Sequence, residues 1–291
     1  MPELPDFPGF LEVQTVTACN AACTVCPHPV VHDELPRGRM SDELFDSIVE
    51  QCLEHQEGMT FAPYLNNEPL IDRRLAERVA QINTRLPASA VEISTNVSLL
   101  DDRRRAELAE VRVDDLRLSV FGFTPATHAT LMPGLQFDRV WANLVALAAD
   151  ERWRQSVGIV GVVLLDHPAV TAEDVELAEK YCADNGFQLY RWGTLDRSRN
   201  VSGFSNGIWR ERVVGCEQNR HRERLHVRFD GTVILCCQDW RAEIVVGNLR
   251  ESSIHELWHG PVYAALRAQI EDGRPGMAPE LCRRCKISVP G

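Results

Sequence analysis

The chain has 291 residues, 44% of them hydrophobic and 25% charged, and 31 basic against 42 acidic side chains give a formal charge of −11. That apolar content supports a buried core and excludes a disordered chain, and the acidic surplus without a basic tract argues against nucleic acid as a partner. No apolar run approaches the ~18 residues of a membrane span, and MPELPDFPGFLEV lacks the basic and apolar regions of a signal peptide.

The first two-thirds alternates strand and helix. Leu11–Ala18 reads as a strand, followed by a cysteine-bearing loop. Ser41 opens a helix whose apolar face is Leu44, Phe45, Ile48, Val49, Cys52 and Leu53. Met59–Leu65 is the second strand, and Leu75, Val79, Ile82 and Leu86 mark the helix after it. Val91–Thr95, Leu116–Phe121, Val157–Leu165 and Phe187–Trp192 complete six strands, separated by helices over Asp101–Val111, Asp138–Ala149 and Thr171–Asn185. The last helix has a Thr171/Asp174 capping pair and Gly186 as its stop. Such alternation implies parallel β/α units in a barrel-like or doubly wound sheet, with chemistry at the C-terminal strand ends.

From about Asp196 the pattern dissolves, and 196–215 reads as a linker or lid between a barrel over 1–195 and a module over 216–291. There LHVRF and TVILC flank Asp230-Gly231, a strong hairpin signal. Ser253 and Glu256 cap a helix, Pro261 opens another, and the chain closes on Cys282 and Cys285.

Ten cysteines in a long chain with a core and no signal peptide point to metal ligands in a reducing cytoplasm. CNAACTVC sets Cys19, Cys23 and Cys26 on one tight loop. Zinc and cubane iron–sulfur sites usually take four ligands, so three leave an open position or a missing partner. His28 would complete a zinc site, while the small Ala21, Ala22 and Thr24 leave room for a cluster.

On these residues the chain resembles the radical S-adenosylmethionine (SAM) enzymes, whose cluster leaves one iron for SAM. Asn66-Asn67-Glu68-Pro69 is similar to the family's Gly-Gly-Glu-Pro segment at the SAM amino group, with Asn replacing both glycines. Ser94-Thr95-Asn96 resembles its Thr-Asn-Gly near the SAM ribose or substrate, and Val25 stands where an aromatic often precedes the third cysteine. The resemblance implies a partial (β/α)6 barrel and SAM contacts from Asn66, Asn67, Glu68, Ser94 and Asn96.

Cys216-x14-Gly231-x4-Cys236, Cys282 and Cys285, Gly247-Asn248-Leu249 and IHELW (Ile254–Trp258) resemble the C-terminal auxiliary module called SPASM, or its short form, twitch. Four ligands imply one further 4Fe–4S cluster, hence two in all, with zinc as the alternative for a four-cysteine site. On a strand, Cys236 and Cys237 would point to opposite faces, and the Gly-x4-Cys spacing favours Cys236 as the ligand.

Cys52 and Cys182 fit helix core positions. Asp166, His167, Arg191 and Asp196 lie near the ends of strands five and six, as active-site groups or as loop structure. Phe121, Gly122, Phe123 and Trp192 are candidate pocket walls or core.

The resemblance implies reduction of SAM to a 5′-deoxyadenosyl radical that abstracts hydrogen from a small sugar- or aminocyclitol-like substrate. Dehydrogenation or epimerisation in natural-product biosynthesis follows, with an external one-electron donor such as flavodoxin or ferredoxin. Epimerisation needs a thiol hydrogen donor, and Cys237 is the candidate. The alternatives are a maturase of ribosomal peptides, for whose recognition domain the 18 residues before Cys19 leave no room, and a non-catalytic zinc-binding protein.

Overall fold

The computed structural model describes residues 3–193, 197–201 and 208–291. Its main sheet contains β1 (Phe10–Val13), β2 (Thr60–Ala62), β3 (Ala90–Thr95), β4 (Val113–Ser119), β5 (Val157–Asp166) and β6 (Gln188–Gly193), each parallel to the next. β7 (Val213–Cys216) lies apart. β8 (Arg224–Val227), β9 (Thr232–Ile234) and β10 (Val245–Asn248) extend the main sheet on its other edge, in the order β10-β9-β8-β1-β2-β3-β4-β5-β6. The outermost strands do not pair with each other, so the sheet is a partial barrel.

Alternation along the strands sorts the side chains. Leu11, Val13, Phe61, Val91, Ile93, Leu116, Leu118, Val162 and Leu164 face the helices and form one core with Leu44, Phe45, Ile48, Val79 and Ile82. The alternate positions are polar: Glu12 on β1, Glu92 and Ser94 on β3, Arg117 and Ser119 on β4, and His226 on β8. A helix-facing apolar side and a polar inner side put any chemistry inside the barrel.

The helices follow the sequence signals closely. Ser41 caps Asp42–Gln51 by accepting from Leu44 N. Thr171 and Asp174 form the capping box of Ala172–Asn185, which ends at left-handed Gly186. The first two strands are shorter than the sequence implies. After Val13 the backbone leaves the sheet, and Thr17 and Met40 bond across to Gly38 and Thr15 instead. After Ala62 the Asn67 side chain accepts from Leu65 N at 3.0 Å and turns the chain. Pro125–Leu131, unforeseen in the sequence, begins with Thr124 as cap and Pro125 in its first turn.

The C-terminal hairpin turns at Asp230-Gly231, where Gly231 has φ 91°. It is not a free-standing sheet, because β8 pairs in parallel with β1 over Phe10–Val13. Of the expected linker 196–215, residues 196 and 202–207 lie outside the described residues, whereas Val213–Cys216 is a strand. It pairs antiparallel with β11 (Ser288–Pro290). No helix among the described residues is long and apolar enough to cross a membrane.

Candidate functional site

Three segments converge beyond the C-terminal ends of β1, β2 and β3. Ala18 O accepts from Glu68 N at 3.0 Å, joining the cysteine loop to the NNEP segment. Glu68 is 2% exposed and accepts from Leu70 N (3.0 Å), Thr95 Oγ1 (2.7 Å) and Asn96 N (2.8 Å), joining NNEP to the end of β3. Asn96 Nδ2 donates to Asn20 Oδ1 at 3.0 Å, and Asn20 Nδ2 donates to Ser98 Oγ at 2.8 Å, closing the ring back to the cysteine loop. Burial lifts the Glu68 carboxyl to about 7 against those three hydrogen bonds. Its side chain therefore ties two loops together within the segment that the resemblance places at SAM. Asn66 lines a neighbouring pocket, the Asn67 Nδ2 is buried without a hydrogen-bond partner, and Ser94 Oγ lies 3.3 Å from Ser119 Oγ.

The cysteine loop is pinned from its other side by the turn after Pro125–Leu131. Ala22 N donates to Pro133 O and Thr24 N to Leu131 O, both at 3.0 Å. Ala21, Cys23 and Val25 pack there on Leu131, Met132 and Leu165. Nothing in the CNAACTVC motif itself announces this support; Thr124-Pro125 was its only signal. Burial pushes the Cys19 thiol up to about 12 and raises Cys23 and Cys26, so these thiols ionise only against a cation. His28 does not join them, since its Nε2 lies 3.1 Å from Thr17 O.

Cys216, Cys236, Cys282 and Cys285 line one pocket with Arg220. Strand alternation does not separate Cys236 from Cys237, because β9 ends at Ile234 and both sit in the following turn. Their thiols stay close, and Arg220 Nη1 reaches both, at 4.0 Å from Cys236 Sγ. Cys237 Sγ accepts from Arg220 Nη1 at 3.0 Å and is near His226 and Glu12. A hydrogen bond from Cys236 holds the Cys237 thiol well below its ordinary range, opposed by burial and reinforced by Arg220 and His226. Two consecutive residues act on the two thiol sets, the Arg197 charge working against the burial that raises the Cys26 thiol and Ser198 against the burial that raises the Cys285 thiol.

Thiol spacing discriminates between clusters and zinc. Zinc 2.3 Å from each sulfur would hold the sulfurs roughly 3.8 Å apart. Among the described residues two donor groups of three or more fall within 4.8 Å of one another, and neither is a cysteine set. Neither set is gathered at zinc spacing, and the donor chemistry fits 4Fe–4S at each.

The remaining candidates are structural or peripheral. Cys52 and Cys182 are core residues bonded to Ile48 O and Gln188 O. Asp166 and Arg191 pair with each other at the surface (3.1 Å), and His167 Nδ1 accepts from Ala169 N at 3.0 Å. Gly122 is required, because a Cβ there would lie 2.5 Å from His128 N. Phe123 is core, Phe121 packs beside the cysteine loop, and Trp192 is 41% exposed with Arg117 over its ring. Asp196 lies outside the described residues.

On the inner face, Tyr64 donates to Glu92, and Arg117 bonds both Glu92 (2.9 Å) and Asp115 (3.0 Å). Glu12 and His226 are in contact on adjacent strands. Sequence reading passed over Glu12 and His226, although each is a polar residue between buried apolar neighbours on a strand.

Residues 216–286 match the iron–sulfur cluster-binding domain SPASM. The chain is 23% identical over 282 residues to an S-adenosyl-L-methionine-dependent 2-deoxy-scyllo-inosamine dehydrogenase of Niallia circulans, covering 97% of this chain and 94% of that one. Its fold is similar to that of BtrN in complex with AdoMet and 2-DOIA (TM-score 0.66, 17% identity, 98% of this chain and 94% of that one). It is similar also to Streptococcus suis SuiB bound to its precursor peptide SuiA (TM-score 0.72, 13% identity, 91% and 68%).

Proposed function

We propose that this chain, which has the radical SAM fold and a C-terminal SPASM module, dehydrogenates a small aminocyclitol- or sugar-like substrate in natural-product biosynthesis. The observation that carries this reading is that one short loop gathers three cysteines against the NNEP segment and the end of β3, while four further cysteines line one pocket. Near end-to-end likeness to an inosamine dehydrogenase supports it.

Cys19, Cys23 and Cys26 would hold the first cluster and leave one position for SAM, while Asn66, Asn67, Glu68, Ser94 and Asn96 shape the SAM site. Cys216, Cys236, Cys282 and Cys285 would hold the second. Bound there, the first cluster with SAM supplies a 5′-deoxyadenosyl radical that takes a hydrogen atom from a substrate C–H, and the second supplies a one-electron acceptor. Glu92, Arg117 and Asp115 offer a polyhydroxylated, amine-bearing ring both acceptors and donors. A flavodoxin- or ferredoxin-like donor and a cytoplasmic setting complete the reading; it divides the chain into a barrel (1–195), a connecting segment and an auxiliary module (216–291).

The test is anaerobic turnover of the reconstituted protein with aminocyclitols and amino sugars, following 5′-deoxyadenosine and a ketone product. SAM cleavage without substrate oxidation across that panel would count against the dehydrogenase reading, and oxidation of a peptide would favour the SuiB-like one. Epimerisation is the second reading because Cys237 is a thiol outside the four-cysteine pocket. A parent that yields an epimer and a Cys237→Ala variant that yields ketone would identify the thiol as hydrogen donor. The bond from Arg220 and the crowding by His226 favour dehydrogenation.

A further inference from the structure

No three thiols of either cysteine set lie within 4.8 Å of one another, but one buried donor group does. Ligand atoms of Glu12, His226 and Cys237 all lie within 4.8 Å of one another. Glu12 and His226 stand opposite each other in the parallel register of β1 and β8, so both side chains leave the sheet on one face. Cys237 reaches them from the turn after β9. His226 is 0% exposed and Glu12 8%.

These groups lack the hydrogen bonds that burial demands. Among the described residues neither ring nitrogen of His226 nor Glu12 Oε2 has a well-aligned hydrogen bond, and the groups that act on the imidazole are Glu12 and Cys237 themselves. His226 Nε2 is 2.7 Å from that oxygen but not aligned for a bond. Buried polar atoms are nearly always well bonded, and an imidazole and a carboxylate oxygen whose close contacts are poorly aligned are a set that one shared partner would complete. A partner shared by a thiol, an imidazole and a carboxylate is a cation.

We propose that Glu12, His226 and Cys237 form a third metal site, separate from both clusters, for one divalent transition-metal ion of zinc-like preference. Thiolate, imidazole and carboxylate are all zinc donors, and opening the Nε2–Oε2 contact by roughly half an ångström would give their tetrahedral spacing. Two anionic ligands balance the ion's charge. Arg220 Nη1, 3.0 Å from Cys237 Sγ, orients the sulfur as outer-shell donors do for metal ligands. Three protein ligands with a fourth position open is the pattern of reactive rather than structural zinc. That position would take a hydroxyl or amine of the substrate, a role that rests on the dehydrogenase reading; the ion does not. Ligation also leaves Cys237 no S–H hydrogen to donate. Asp6, His255 and His259 pass the same distance test, but they are exposed to water and carry no proposal.

The experiment is zinc titration of the anaerobic protein with both clusters reconstituted, read by calorimetry, metal analysis and zinc-edge X-ray absorption. One zinc per chain is expected, with one sulfur at about 2.3 Å and nitrogen or oxygen at about 2.0–2.1 Å. Glu12→Gln and His226→Gln should each weaken zinc binding more than about a hundredfold, beyond the range for outer-shell partners, with iron content and circular dichroism unchanged. Cys237→Ser should remove the 2.3 Å shell while the protein stays folded. A shell of four sulfurs, equal binding by the variants, or no zinc bound by the parent would overturn the site and leave Glu12 and His226 a buried ion pair. None of these readouts depends on turnover, so a failed substrate search leaves them intact.

Discussion

The two thiol sets solve the same problem in opposite ways. The first is local: eight residues from Cys19 to Cys26 supply every cysteine, and the fold's task is to clamp one short loop. Bonds to Glu68, Asn96, Leu131 and Pro133 do so. The second is assembled from β7, the turn after β9 and the short helix Glu280–Arg283. Its geometry exists only if the C-terminal segment has folded back, with β11 on β7 and β8 on β1. Loop closure costs entropy, so a cluster that bridges distant segments contributes to folding in a way that one on a single loop does not.

Removing each set in turn sharpens that contrast. Changing Cys19, Cys23 and Cys26 together to Ala should remove about half of the roughly eight irons implied by two cubanes, abolish SAM cleavage and leave the fold intact. Iron analysis and 5′-deoxyadenosine release measure it. Cys282→Ala with Cys285→Ala should also remove about half the iron. SAM cleavage should survive, product should not form, and hydrogen exchange should rise along Val213–Cys216 and Ser288–Pro290. Unchanged exchange there would mean that the second cluster is a passenger.

A smaller effect is expected at Glu68. Glu68→Gln places an amide NH2 among three donors, Leu70 N, Thr95 Oγ1 and Asn96 N. A charge-assisted bond of ~1.5–3 kcal/mol is lost, so SAM affinity should fall roughly tenfold or more with iron content unchanged. Equal affinity in titration calorimetry would separate the SAM site from this tie.

The contrast also governs what could be read from sequence. Helix bounds were legible because caps and stops are local, as at Ser41, Thr171 and Gly186. The open cysteine triad was legible because it occupies one loop. Strand ends were not, since Thr17 and Leu65 leave the sheet for partners that only the tertiary fold supplies. Nor was the Glu12–His226 pairing, which depends on β8 joining β1 across more than half the chain.

The smallest effect tests the clamp itself. Asp174, fully buried, caps its own helix at Thr171 and accepts from Phe123 N (2.8 Å), Thr124 N (2.7 Å) and Thr127 Oγ1 (2.7 Å). It thereby anchors the start of Pro125–Leu131, whose far end holds the cysteine loop. Burial works against its charge, but the bonds from Thr127, Thr171 and Thr124 prevail and lower the carboxyl to about 2. A carboxyl depressed in the folded state stabilises fully above its unfolded value of about 3.9 and loses that contribution as pH falls towards 2. Asp174→Asn keeps the size but turns an NH2 towards donors, which should cost about 1–3 kcal/mol at neutral pH. In urea unfolding, the gap between parent and variant should be constant from pH 7 to 5 and close between about 4 and 2. A gap that stays open at low pH would assign the effect to shape rather than charge, and the cysteine loop's support would then rest on backbone bonds alone.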